Sequence, residues 1–175
     1  MVRARWAAFG LASVIVLAGT GIIAATQGPF GGGEVVQPIA FPHDLHAGND
    51  RIPCMYCHSS ADRSVDAGIP ALDVCAGCHI AAGQLLFRRD STRTQQLLAY
   101  WTAQRPIPWV RVYKVADHAH FPHMRHVKGG VTCQECHGPV ETMATIRLNQ
   151  ELWMGWCVEC HRARQVRTDC AVCHY

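Results

Sequence analysis

Phe121-Pro122-His123-Met124-Arg125-His126 is followed by Cys133-Gln134-Glu135-Cys136-His137, and then by Cys157-Val158-Glu159-Cys160-His161. The same order occurs earlier: Phe41-Pro42-His43-Asp44-Leu45-His46, then Cys54-Met55-Tyr56-Cys57-His58, then Cys75-Ala76-Gly77-Cys78-His79. Cys170-Ala171-Val172-Cys173-His174 closes the chain one residue before Tyr175. All 10 cysteines therefore fall in five Cys-x-x-Cys pairs, and each pair is followed at once by His. This spacing is that of c-type haem attachment. The two thiols add to the haem vinyl groups, and the adjacent imidazole is held close enough to become the proximal iron ligand. The proximal ligands are then His58, His79, His137, His161 and His174.

Other uses of the pattern explain less. Structural zinc takes two such knuckles per ion, and five cannot be divided that way. A thioredoxin-like motif belongs to a βαβ unit, which is not visible here. A disulfide framework gives no reason for the invariant His. Five thioether-linked haems consume every thiol and leave none for a disulfide or a nucleophile.

Of the 11 histidines, six remain: His43, His46, His118, His120, His123 and His126. Five six-coordinate irons need five distal ligands. His43/His46 and His123/His126 are i,i+3 pairs, which share one face of a helix; each pair can reach two neighbouring irons from one helical turn. For the fifth, His118 is the first choice and His120 a weaker one. Met143 is the leading alternative and Met154 a further candidate. A thioether ligand would raise that haem's potential relative to a second imidazole, whereas an ordinary Met would only fill a gap against porphyrin.

The chain has 175 residues, which allows one modest domain plus an appendage. Residues 6–26 carry no charge and are long enough to cross a hydrocarbon core as a helix. Arg3 and Arg5 precede them, which keeps the N-terminus cytoplasmic. We read residues 1–27 as a retained transmembrane anchor in the lipid bilayer, the rival being a cleaved signal peptide. Residues 28–34 are a Gly-rich linker, and residues 35–175 a pentahaem domain on the periplasmic side of the cytoplasmic membrane. Residues 41–79 and 121–161 read as an internal duplication. Between them Asp90 or Ser91 is expected to cap a helix through Gln104, with residues 109–115 extended.

About 28 residues per haem is too few for a normal hydrophobic core. The expected fold class is mainly α and irregular, with little regular secondary structure, two dihaem repeats and a fifth haem, the porphyrins serving as the core. The formal charge of +3 excludes a nucleic-acid-binding chain. Residues 28–175 carry 14 basic and 13 acidic side chains, and ionised propionates of five haems turn that balance to roughly −4.

The Phe-x-His-x-x-His signature followed by closely spaced haem motifs is similar to class III multihaem cytochromes. The anchored arrangement resembles, more specifically, the pentahaem cytochrome c subunit of alternative complex III, a bacterial quinol:electron-acceptor oxidoreductase. The resemblance is carried by Phe41-Pro42-His43 through Gly48, by Pro106-Ile107-Pro108-Trp109-Val110-Arg111-Val112 and by Asp117-His118. Cys133 through Met143, Met154-Gly155-Trp156-Cys157 and Cys173-His174-Tyr175 complete it. The short interval between His161 and Cys170 departs from it. The resemblance implies five covalent haem c groups, integral membrane partners, an iron–sulfur subunit and monohaem cytochromes. It also implies that the chain relays electrons and is not a catalyst alone. It makes Asp117-His118 and Met143 distal-ligand positions. A self-sufficient small multihaem quinol dehydrogenase is the alternative. A multihaem reductase is a weaker one, because it needs an open iron and six spare His argue for saturation.

Overall fold

A computed structural model describes residues 35–175, and the expected anchor and linker lie outside the described residues. Among the described residues no helix is long and apolar enough to cross a membrane. The elements are short helices joined by irregular chain. They are α1 (Cys54–Cys57), α2 (Leu72–His79), α3 (Thr92–Thr102), α4 (His123–Lys128), α5 (Cys133–His137), α6 (Met154–Ala163) and α7 (Cys170–Cys173). A π-helical turn, Asp44–Asn49, precedes α1, and a 3-10 turn, Val140–Thr142, follows α5.

Every Cys-x-x-Cys pair sits on one of these helices. A single helical turn brings the residues at i, i+3 and i+4 to one face, so both thiols and the following imidazole leave the same side of the chain. Extended residues mark the starts: Pro53, Ala71, Thr132, Trp153 and Asp169 all have β-region dihedrals. Before α5 the Glu135 carboxylate accepts the Thr132 N–H at 2.8 Å, half of a capping box. That bond, followed by Arg164, holds the Glu135 carboxyl below its usual range. The Glu135–Arg164 ion pair ties α5 to the end of α6.

The expected central helix is present as α3, opening after Ser91 and burying Leu97, and it stops at Thr102. Residues 109–115, expected to be extended, join no sheet among the described residues. Their ladder-like partner is one side chain: the Gln37 amide donates to Val110 O at 2.7 Å and accepts the Val110 N–H at 2.9 Å. The sheet among the described residues is a minimal hairpin that the sequence did not announce, β1 (Ile80–Ala81) antiparallel to β2 (Gln84–Leu85). Ala82 (φ 47°) and Gly83 (φ 75°) make its two-residue turn, with both φ values positive as such hairpin turns require. Strands of two residues carry no alternation that a sequence could reveal.

Side chains supply little interior. Among the described residues the buried apolar ones are Ile39, Ala61, Ala76, Leu85, Leu97 and Met143. Met143 is the most enclosed, at 1% exposure. It lies where the two halves meet. Its carbonyl accepts the Asp44 N–H at 3.0 Å, and Gly48 faces the Glu141 carbonyl closely enough that a Cβ would collide with it. The π-helical turn thus rests on the backbone of residues 140–143.

Met143→Ala is expected to destabilise the haem-loaded protein by about 2–5 kcal/mol through the cavity it leaves. Gly48→Ala is expected to cost about 1–3 kcal/mol, because the added Cβ meets the Glu141 backbone carbonyl and not the end of a flexible side chain. Denaturant unfolding of both variants, followed in the far-ultraviolet, checks the two values.

Candidate haem-ligating centre

In both halves the Phe-Pro-His-x-x-His signature builds the same local geometry. The Phe41 ring stacks on His46, with centroids 4.4 Å apart and planes at 24°, and meets His43 edge-on at 4.9 Å. Phe121 does the same, stacked on His126 at 4.2 Å and edge-on to His123 at 4.9 Å. The Pro42 carbonyl accepts from His46 Nδ1 at 2.9 Å, and the Pro122 carbonyl from His126 Nδ1 at 3.0 Å. Each letter of the signature has a task. Phe supports both rings, and Pro supplies an acceptor while opening the turn. The i,i+3 spacing sends two imidazoles to different neighbours.

Three of those neighbours, and one of His118, are recorded directly. The ring centroids of His46 and His79 lie 6.0 Å apart, those of His126 and His161 6.1 Å, His123 and His137 6.5 Å, and His118 and His174 5.4 Å. His43 is lowered to about 4, by burial first and then by His58. His79 is lowered by burial and then by His46, and His137 by burial and then by His123 and His58. His79, His137, His161 and His174 thus each have one histidine of the upstream set beside them. His120 stacks instead on Tyr175 at 4.4 Å.

These facing pairs fit an iron between them. Two imidazoles bound from opposite sides, each through a nitrogen at about 2 Å, place their ring centres roughly 6 Å apart. The ligand must be neutral, and burial keeps His43, His79 and His137 so. One ring nitrogen should point its proton away from the metal, into an acceptor that fixes the tautomer. Nδ1 of His58 reaches Gly68 O at 2.7 Å, that of His123 reaches Val65 O at 2.9 Å, that of His161 reaches Arg167 O at 2.7 Å and that of His174 reaches His118 O at 2.8 Å. With His46 and His126 this makes six rings whose Nε2 is left free. Nδ1 of His43 and of His79 is buried with no partner among the described residues.

The thiols are also grouped. Burial raises Cys57, Cys75, Cys133, Cys136 and Cys157, and the next cause in each case is a cysteine of another motif. For Cys57 it is Cys78, for Cys75 Cys57, for Cys133 Cys54, for Cys136 Cys160 and for Cys157 Cys173. Met143 is buried at the contact with the π-helical turn, and Met154 is exposed at the start of α6. Sequence reasoning missed the carbonyl acceptors and Tyr113. The latter's ring meets His137 edge-on at 4.5 Å, and burial pushes its phenol up. No residue-type signal marks a backbone carbonyl as functional.

Residues 119–175 match the family described as cytochrome c7 and related cytochrome c. The chain is also 28% identical, over 101 residues, to the multihaem cytochrome c subunit of a menaquinone reductase of Nitratidesulfovibrio vulgaris. That stretch is 58% of this chain and 45% of the relative, so the chain spans about half the length of the curated protein it matches. Together with the Cys-x-x-Cys-His motifs, these likenesses support a multihaem c-type cytochrome with covalently bound haem and a role in electron transport.

Replacing Phe121 by Ala removes the support of two imidazoles at once. A loss of about 1–3 kcal/mol of stability is expected, with Phe121→Leu recovering part of it. Thermal unfolding of the two variants beside the parent protein tests this.

Proposed function

We propose that the chain is a pentahaem electron relay, anchored by residues 6–26 with its haem domain on the periplasmic side, in a membrane complex that exchanges electrons with quinone. The observation that carries this is the set of four facing imidazole pairs, His46 with His79, His123 with His137, His126 with His161 and His118 with His174; His43 and His58 are read as the fifth. Haem iron held by two imidazoles supplies reversible one-electron transfer. The protein's own part is to saturate each iron, orient its ligands and hold the attachment sites next to one another. His118 is the fifth distal ligand in this reading, because it stacks against His174 at 5.4 Å. Met143, fully buried under the π-helical turn, acts as packing.

The thiol neighbourhoods give the attachment sites an order. The Cys75 motif adjoins the Cys54 motif, which adjoins the Cys133 motif, then the Cys157 motif, then the Cys170 motif. Shared turns support two of these steps, since His43 and His46 serve the first two motifs, and His123 and His126 serve the third and fourth. In this reading the relay ends at the second and fifth motifs in sequence.

Resemblance to the alternative complex III subunit favours electrons leaving quinol for a periplasmic acceptor. A menaquinone reductase favours the opposite direction, and the likeness to a subunit of one makes it the second reading. In either case integral membrane subunits and an iron–sulfur subunit are the expected partners. A self-sufficient small multihaem quinol dehydrogenase is the alternative, and it requires quinol turnover by the isolated chain.

Mass spectrometry should show five haem c groups and no thiol open to alkylation. Substituting any one of His43, His46, His118, His123 or His126 by Ala should convert one low-spin ferric haem to high spin. Met143→Ala should convert none. A new high-spin haem in Met143→Ala, with none in His118→Ala, would give the fifth site to the methionine. Purification from native membranes should bring down polytopic subunits, and quinol should reduce the haems only within that assembly. The isolated chain turning over quinol by itself would sink the relay reading.

A further inference from the structure

We propose that Tyr113 is a positioning residue that holds the His137 ring parallel to His123. This rests on reading those two histidines as the axial pair of one haem. The other proximal imidazoles are oriented differently. His58, His161 and His174 each donate Nδ1–H to a backbone carbonyl at 2.7 to 2.8 Å, and the His79 ring is enclosed between His46 and Phe87. The His137 ring makes no hydrogen bond with any described residue. Its immediate ring contact is Tyr113, edge-on with centroids 4.5 Å apart and planes at 71°.

Tyr113 is itself fixed. Its hydroxyl accepts the Asn149 N–H at 2.8 Å. The one phenolic proton faces two carbonyls, Arg147 O at 3.3 Å and His137 O at 3.4 Å. The phenol therefore bridges the chain that carries His137 and the loop at residues 147–149. Gly138 closes the same joint. At φ 69° it is buried against Asn149, and a Cβ there would overlap the Asn149 side chain. A ring clamped at its hydroxyl end and pressed edge-on to an imidazole restricts rotation of that imidazole about its Cβ–Cγ bond.

The outcome is visible in the ring angles. His123 and His137 lie at 8° to one another, whereas the other measured pairs lie at 22°, 40° and 52°. Parallel axial imidazoles lift the near-degeneracy of the iron dπ orbitals, because both rings donate into the same one. Such a ferric haem gives a resolved rhombic spectrum. Crossed rings donate into both orbitals, and the spectrum becomes strongly anisotropic with one low-field feature. The Tyr113 clamp therefore sets the electronic asymmetry of the haem in the middle of the relay, with no bond to the metal.

Electron paramagnetic resonance of the oxidised holoprotein tests this, with His123→Ala as the assignment control. His123→Ala should abolish the most rhombic signal and create one high-spin haem. If it leaves every low-spin signal intact, the axial pairing itself is wrong, whatever Tyr113 does. With the signal assigned, Tyr113→Leu should move that one signal to low field and shift one midpoint potential. The haem content, the low-spin count and the other four signals should stay as they were. Tyr113→Phe, which keeps the edge and loses the hydroxyl anchor, should broaden the signal without moving it as far. Gly138→Ala perturbs the clamp with Tyr113 intact and should act in the same direction; it serves also if Tyr113→Leu does not fold. An unmoved rhombic signal in folded Tyr113→Leu, or in folded Gly138→Ala where the former is lost, would overturn the proposal.

Discussion

The rest of the structure depends on holding neutral imidazoles in facing pairs. An imidazole is useful to a metal only when one nitrogen is unprotonated and aimed, and a free ring meets neither condition reliably. Backbone carbonyls solve the tautomer problem at Pro42, Pro122, Gly68, Val65, Arg167 and His118. Burial solves the charge problem at His43, His79 and His137. Most of the irregular chain makes sense as scaffolding for those acceptors. Gly68, Val65 and Arg167 all lie in segments with no helix or strand, where a carbonyl is free of ladder partners.

The two halves solve one problem with slightly different parts. Phe41 and Phe121 make nearly identical contacts with their histidines, yet His43 opens a π-helical turn and His123 opens an α-helix. π-turns inside helical chain are rare and gather at functional sites. Here the turn is packed on residues 140–143, through Gly48 and the Met143 carbonyl. The second half rests on a different neighbour. His123 and Met124 instead take their backbone acceptors from Val65 and Ser64, so each half is tied down by the other.

Much of this was legible in the sequence. The Cys-x-x-Cys-His motifs and the i,i+3 histidines are local patterns with a fixed chemical meaning, and they name candidate ligands without any tertiary information. The helix after Ser91 was legible for a similar reason, since it carries a period and a stop. What escaped was non-local or borne by the backbone. Gln37 completing the hydrogen bonds of Val110 joins residues 73 apart in sequence, and no pattern in residues 109–115 foretells it. Met143 is a candidate ligand because methionine can bind iron, while its burial beside the π-helical turn Asp44–Asn49 is a packing fact that composition does not carry. Tyr113 was read only as part of an extended stretch, and its contact with His137 depends on how residues 147–149 return.

His118 and His174 are both exposed, whereas the other paired histidines are at least partly shielded. Charge in a wet site is stabilised by water dipoles that must turn whenever the charge changes, while a shielded site has fewer such dipoles to turn. Along the proposed relay the reorganisation energy therefore rises at the C-terminal end. The interior sites pass charge with little rearrangement around them, and the last site responds to the solvent and to whatever displaces it. A partner that docks there and excludes water lowers the barrier at the one step where the protein's own walls do not.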